Sequence, residues 1–316
     1  MRQVLVLLIA LVVTAAAAPV VRALLLRRNI LDVPNHRSSH AIPVPRAGGL
    51  ACLLGLLVAS GAAALLGLPV SWATLFAIVV LTGVGLTDDL RSLPPLPRLA
   101  VQALSGFLLG FALGDAWLAV AAAAIFPLVV NVVNFMDGIN GISGAVLIVW
   151  GSAAWIVASS GPFALASVGV LGCVAVGTAL GFLPWNVPRA RLFLGDSGSY
   201  LMGALIAGGV VLGASQDASV SVLLAPLALY IGDVTVTLLR RKQRGAALME
   251  AHREHAYQRL VSVAGLSHVA VALLVASGSA VVLMACVLLP PAGSVLVTGA
   301  AVALFLALPA LMERTS

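Results

Sequence analysis

The chain has 316 residues, is 61% hydrophobic and only 9% charged, and carries a formal net charge of +6 with a pI near 10.0. A soluble domain averages about 25% charged residues, so this chain cannot cover a water-facing surface, and its solvent is lipid. Hydrocarbon leaves helices or closed barrels as the ways to pair every backbone N–H and C=O, and the long, non-alternating apolar runs select helices. The positive balance is explained by membrane topology, so no nucleic-acid partner is expected.

About 20 helical residues span a bilayer core. In chain order the apolar runs predict helices near 3–26, 47–67, 70–87, 97–114, 116–134, 142–159, 162–183, 199–213, 219–239, 267–289 and 293–312. The expectation is an all-α, polytopic integral membrane protein with about eleven transmembrane helices, forming one domain over 1–316. The first run passes Ala15–Ala18, which imitates a signal-peptide cleavage site, but it continues to Leu26 and meets Arg27 and Arg28, so it reads as a retained helix. Cys52, Cys173 and Cys286 lie singly in apolar runs without ligand spacing and read as packing residues.

The connecting segments near 27–46, 88–96, 135–141, 184–198 and 240–266 fall on one side and, with Arg98 just beyond the second of them and the C-terminal tail, hold 15 of the 17 Lys and Arg residues. By the positive-inside rule this side is cytoplasmic, with the N-terminus outside and the C-terminus inside. Asp32, Asp88, Asp89, Asp137, Asp196, Glu250, Glu254 and Glu313 share that side. Asp115 and Asp217 sit in short external turns. Asp233 lies within a helix about two turns from the cytoplasmic end, where an ionisable group is costly and marks a functional site by default.

Five polar constellations interrupt the apolar pattern on this side. Asp88-Asp89 closes a helix, where adjacent carboxylates repel each other and oppose the macrodipole, so they require a cation, a proton or a positive partner; the functional reading is Mg2+ binding or general-base work. Asn131, Asn134, Asp137, Gly138, Asn140 and Gly141 place two amides on one helix face ahead of a glycine-bearing turn, a set able to read a nucleotide or hold a metal. Phe193-Leu194-Gly195-Asp196-Ser197-Gly198-Ser199 leads into a helix, with Ser197 or Ser199 as cap and the first amides as an anion site; Asp196 beside it suggests a metal bridging carboxylate and phosphate. His252-Arg253-Glu254-His255-Ala256-Tyr257-Gln258-Arg259, if helical, puts His252 and His255 on one face and reads as a phosphate clamp or a lipid-headgroup helix. Asn29 to His40, continuing to Pro43, Pro45, Arg46, Gly48 and Gly49, is a proline-framed basic loop suited to ligand recognition, with Asn35 and Arg37 as candidate contacts.

The blocks Asp32-Val33-Pro34-Asn35-His36-Arg37-Ser38-Ser39-His40, Asp88-Asp89, Asn134-Phe135-Met136-Asp137-Gly138-Ile139-Asn140-Gly141 and Phe193 to Ser199 closely resemble the polyprenyl-phosphate N-acetylhexosamine-1-phosphate transferase superfamily, over roughly Asp32 to Arg259. The resemblance implies a multi-pass enzyme of the bacterial inner membrane whose cytoplasmic site moves a sugar 1-phosphate from a UDP-sugar to polyprenyl (undecaprenyl) phosphate, releases UMP, and uses Mg2+, with Mn2+ as a substitute. It implies Asp196 as principal Mg2+ ligand with Asp88 and Asp137 beside it, Asp88 orienting or deprotonating the lipid phosphate, and Asp89 in support. Asn134, Asp137 and Asn140 would line the nucleotide end, His252 (catalytic) and Arg253 would contact the diphosphate or sugar, and Asn131, Asp233 and His255 would be further substrate-binding residues. The His-Arg-Glu-His form looks like the O-antigen-initiating branch, with N-acetylhexosamine or N-acetyl-6-deoxyhexosamine donors, and relatives suggest a homodimer. Direct attack by the lipid phosphate is the preferred route and a covalent phospho-Asp88 intermediate the alternative, and a nucleotide-sugar or lipid transporter is the rival from another class.

Overall fold

The computed structural model describes residues 1–34, 42–160, 165–246 and 252–313. Helix α1 (Arg2–Arg27) leads to a short antiparallel pair, β1 (Leu31–Asp32) with β2 (Val44–Pro45), that brackets the first basic loop and aligns Leu31 with Pro45. There follow α2 (Gly49–Leu65), α3 (Trp72–Arg91), α4 (Pro95–Leu113), α5 (Ala116–Met136), α6 (Ile142–Ser160), α7 (Ala166–Asn186) and α8 (Gly195–Ala214). Next come α9 (Val220–Leu224), a 3-10 turn (Ala225–Leu227), α10 (Ala228–Gln243), the short α11 (Ala256–Ser262), α12 (His268–Leu288) and α13 (Pro291–Glu313). Among the described residues ten spans are long and apolar enough to cross a membrane, α9 to α10 counting as one, and α2 is an eleventh, shorter apolar helix. The chain is therefore an all-α polytopic membrane protein.

The helices form because nothing in these runs can satisfy a backbone group except its own chain. Where Pro226 removes a donor, the helix tightens into the 3-10 turn rather than breaking. Helix α8 is the axis of the bundle: 94% of its apolar window is buried, against 11% for α13, which faces outward. Small residues along α8 let its neighbours approach closely.

Three local expectations are corrected. Helix α8 begins at Gly195 rather than near 199, so Asp196 lies in its first turn and neither Ser197 nor Ser199 caps it from outside. The helix holding Asp233 runs on to Gln243 and carries Arg240, Arg241 and Lys242 in its last turn, where cations complement the macrodipole. His252 and His255 do not share a helical face: the helix starts at Ala256, and His255 is its N-cap.

One end of the bundle is stitched together by hydrogen bonds between segments remote in sequence. Gly48 and Gly49 amides donate to the Phe193 and Leu194 carbonyls, each at 2.9 Å, and the Phe193 amide donates to the Pro45 carbonyl at 2.9 Å. Arg22 Nε donates to the Arg191 carbonyl at 3.0 Å. Gly141 N donates to Asn186 Oδ1 at 2.6 Å, and Tyr257 Oη donates to the Phe135 carbonyl at 3.0 Å. The ends of α1, α3, α5, α7 and α10 and the starts of α2, α6, α8 and α12 thus meet at the end that bears the basic loops.

Candidate active site

The acidic centre is built from α3, α5 and α8. Asp89, buried in the last turn of α3, accepts the backbone amides of Asp196 and Ser197 on its two oxygens, each at 2.9 Å. It is the cap of α8, supplied from another helix. The anion site expected at the start of α8 is occupied by the protein's own carboxylate. Gly195 permits this approach: its φ is +71°, and a Cβ there would stand 2.8 Å from Asp89 Oδ2. Arg46 donates to the Asp89 carbonyl and ties β2 to the same point.

Asp88 is also buried, and both its oxygens are engaged. Oδ1 accepts the Leu93 amide at 2.7 Å, and Oδ2 is ion-paired with Arg98 of α4. The positive partner required by the two adjacent aspartates is supplied by the chain itself. Arg98 was not singled out in the sequence; the available signal is a lone cation in the first turn of an apolar helix, the end at which the macrodipole disfavours positive charge.

Asp196 and Asp137 are differently placed. Asp196 Oδ1 accepts Asn134 Nδ2 at 2.7 Å, and the same amide donates to Ser199 Oγ at 3.0 Å. Asp137, which caps the end of α5, accepts Ser143 Oγ at 2.6 Å. Among the described residues neither carboxylate is in an ion pair. Burial pushes the Asp137 carboxyl up to about 8; the Ser143 hydrogen bond opposes this, and the negative fields of Asp196 and Asp89 add to it. The carboxylates of three helices therefore converge on one region.

Among the described residues no three His, Cys, Asp or Glu side chains form a ligand group, and both oxygens of Asp88 are engaged by Leu93 and Arg98. What remains is the pair Asp137 and Asp196, held by neutral donors. That donor set fits Mg2+, which takes one or two carboxylates and fills its octahedron with phosphate oxygens and water.

The other expected residues separate into distinct places. Asn131 donates to Gln102 Oε1 and the Pro127 carbonyl, both at 2.7 Å, and so joins α5 to α4 one turn deeper than Asn134. Asn140 donates to the Pro188 carbonyl at 3.2 Å, and its amide donates to His268 Nδ1 at 3.3 Å. It lines an open pocket of about 870 Å³ with Phe193, Arg189 and His268.

Asp233 is fully buried and accepts His255 Nδ1 at 3.2 Å, the Ala256 amide at 3.0 Å, the Tyr257 amide at 3.3 Å and Thr237 Oγ1 at 3.1 Å. It holds the start of α11 and has no free face for a substrate. The His252 ring lies 4.9 Å from that of His255, and its buried Nδ1 has no partner. Desolvation, with His255 and Arg241 nearby, lowers its pKa to about 4, so the imidazole is neutral at ordinary pH. Arg253 lies in a different pocket, described below, which none of the aspartates lines. Asn35 and Arg37 fall outside the described residues.

Fold and site together define a polytopic membrane protein with a carboxylate centre sunk between helix ends and an open pocket beside it. The sequence profile of glycosyl transferase family 4 matches residues 71–214, which contain Asp88, Asp89, Asn134, Asp137 and Asp196. The chain is 30% identical over 318 residues to the decaprenyl-phosphate N-acetylglucosaminephosphotransferase of Mycobacterium leprae (strain TN), covering 85% of this chain and 79% of that protein. It is 26% identical over 285 residues to a probable undecaprenyl-phosphate N-acetylglucosaminyl 1-phosphate transferase of Bacillus subtilis (strain 168), covering 83% and 77% respectively. An undecaprenyl-phosphate alpha-N-acetylglucosaminyl 1-phosphate transferase of Thermotoga maritima is 28% identical over 246 residues, covering 74% and 75%. The chain belongs to glycosyl transferase family 4 and, within it, to the superfamily of polyprenyl-phosphate N-acetylhexosamine-1-phosphate transferases.

Proposed function

We propose that this chain transfers an N-acetylhexosamine 1-phosphate, or its 6-deoxy counterpart, from a UDP-sugar to undecaprenyl phosphate at the cytoplasmic face of a bacterial inner membrane, releasing UMP. The product is the first lipid-linked intermediate of O-antigen or another envelope polysaccharide. The observation that carries this reading is the pair Asp137 and Asp196. These are two half-buried carboxylates with one neutral hydrogen bond each and no ion pair among the described residues. The names of the relatives, all phosphosugar transferases acting on a polyprenyl phosphate, point the same way.

In this reading Asp137 and Asp196 hold Mg2+, which when bound screens the diphosphate and stabilises the departing UMP. Asn134 orients Asp196 through a 2.7 Å hydrogen bond, and Ser143 orients Asp137 through one of 2.6 Å. Asn140, Phe193, Arg189 and His268 offer the nucleotide an aromatic face, an amide and a cation in the adjoining pocket. Arg98, paired with Asp88, gives the acceptor phosphate a cation where α4 starts. An oxygen of the lipid phosphate attacks the sugar-bearing phosphorus, the bond to the bridging oxygen breaks, and UMP carries that oxygen away. Both oxygens of Asp88 are engaged by Arg98 and the Leu93 amide, which favours direct attack over a phospho-Asp88 intermediate. His252, neutral and with an unpartnered Nδ1, is free to hydrogen-bond a sugar or phosphate oxygen.

The test is UMP release by the purified protein with undecaprenyl phosphate, Mg2+ and a panel of UDP-N-acetylhexosamines. Asp196→Asn should lower the rate at least about 100-fold while the protein stays folded. Chelation should abolish turnover, and Mg2+ or Mn2+ should restore it. Near-normal turnover by the variant refutes the role of Asp196, and sugar-nucleotide flux without UMP release favours a transporter.

A further inference from the structure

A second pocket, of about 620 Å³, opens between the end of α10 and α11 and is lined by Thr237, Arg240, Arg244, Arg253, Glu254 and Arg259 among others. Its four arginines face a single acid. Glu254 is ion-paired with Arg244 and, at 2.5 Å, with Arg241; Arg259 is paired with Glu313 at 3.2 Å. Arg240 and Arg253 are in no ion pair among the described residues, and Arg253 Nη2 is buried without a hydrogen-bond acceptor. A buried guanidinium donor left unsatisfied is costly, and an oxyanion presenting several acceptors relieves it.

Complementing the macrodipole of α10 explains basic residues in its last turn. It does not explain Arg253 and Arg259, which come from the following segment and converge on the same cavity. Asp88, Asp89, Asp137 and Asp196 do not line this pocket, so it offers a phosphate cations without a carboxylate pair for a metal. Its surroundings are amphiphilic: Val263 in its wall is 42% exposed, and Leu239, beside Arg240 on α10, is 52% exposed. The pocket thus joins exposed apolar side chains at the end of a membrane helix to a cluster of guanidiniums.

We propose that this pocket is a binding site for the phosphate headgroup of an anionic membrane lipid, separate from the transfer site. The shared chemistry is a phosphate ester; the exposed apolar rim favours a lipid over a soluble source. Each cation near an anionic headgroup contributes about fivefold in affinity, so losing two should weaken binding roughly 20- to 30-fold.

The experiment places the purified full chain in phosphatidylcholine nanodiscs doped with phosphatidylglycerol and measures retained phosphatidylglycerol by native mass spectrometry. Wild type should retain it, and Arg240→Gln/Arg259→Gln should lose it by the stated factor. Arg240→Lys/Arg259→Lys should keep most of it, which separates loss of charge from loss of fold. Arg28→Gln/Arg91→Gln, which removes exposed cations elsewhere at the same end of the bundle, should behave as wild type. Equal retention by the Gln pocket variant, or equal loss in the Arg28/Arg91 control, overturns the proposal. In a parallel arm inorganic phosphate is titrated against phosphatidylglycerol; displacement at matching concentrations overturns the lipid assignment in favour of a soluble phosphate. Because the readout is binding, the outcome is independent of the transfer reaction.

Discussion

Asp89 and Asp196 are joined across two helices: the carboxylate closing α3 accepts the Asp196 amide that opens α8, 107 residues later, at 2.9 Å. The second oxygen takes the Ser197 amide, so one side chain caps the helix and sets the position of the neighbouring carboxylate. Asp89→Ala removes both charge-assisted bonds and should cost about 1–3 kcal/mol, visible as a lower Tm in detergent. Asp89→Asn keeps one acceptor and should recover part of the loss. UMP release should fall with Asp89→Ala even at temperatures where the variant is folded, because Asp196 loses its anchor; unchanged Tm and unchanged release would contradict the capping role.

Gly85 is where α3 touches the start of α8. A Cβ at this position would overlap the carbonyl of Asp196. Since that neighbour is backbone, it cannot swing aside. Gly85→Ala should push the helices apart, cost about 1–3 kcal/mol as overpacking does, and reduce UMP release more than a comparable change at Gly83, whose Cβ would meet nothing. Thermal unfolding and turnover of the two variants side by side provide the check.

Asp233 receives four hydrogen bonds and is fully buried. Asp233→Ala leaves His255, two backbone amides and Thr237 without their acceptor, a loss of at least about 3 kcal/mol. The signature of this positioning role is local: limited proteolysis between α10 and α11 should accelerate in Asp233→Ala, while KM for the UDP-sugar in surviving protein changes less than kcat. A variant cut at the wild-type rate would contradict it.

His252 gives a pH dependence of definite sign. Its native pKa of about 4 lies below the ordinary 6.5, because burial and the positive charge around it disfavour the imidazolium. Between those values the unfolded chain binds more protons than the native one, so stability is lost as pH falls from about 6.5 to about 4 and is level above that window. His252→Gln should flatten this acid limb in a series of Tm measurements. An equally steep limb in the variant would show that other groups produce it.

The span pattern was legible because lipid forces it. An apolar run of about 20 residues must satisfy its own backbone groups, so length and composition suffice to name a helix. Boundaries were less legible where a remote side chain decides them: α8 gains its first turn through Asp89, and no residue adjacent to Gly195 carries that information. The same holds for His252 and His255. Helical spacing put them on one face, but Asp233 draws the amides of Ala256 and Tyr257 to itself, starts α11 there and leaves His252 in coil.

The polar residues of the centre were visible one by one as interruptions of apolar runs, since a carboxylate or amide near a membrane helix end is too costly to keep without use. Their division of labour was not visible. By itself the sequence determined a bundle of apolar helices with its acids and bases at one end. The tertiary structure alone decided that Asp88 is taken by Arg98, Asp89 by the start of α8 and Asp233 by the start of α11, leaving Asp137 and Asp196 in no ion pair among the described residues. The reason is physical: apolar burial depends on the average character of a stretch, which a linear sequence displays, whereas a hydrogen bond or ion pair depends on two atoms within about 3 Å, which only the packed helices bring together.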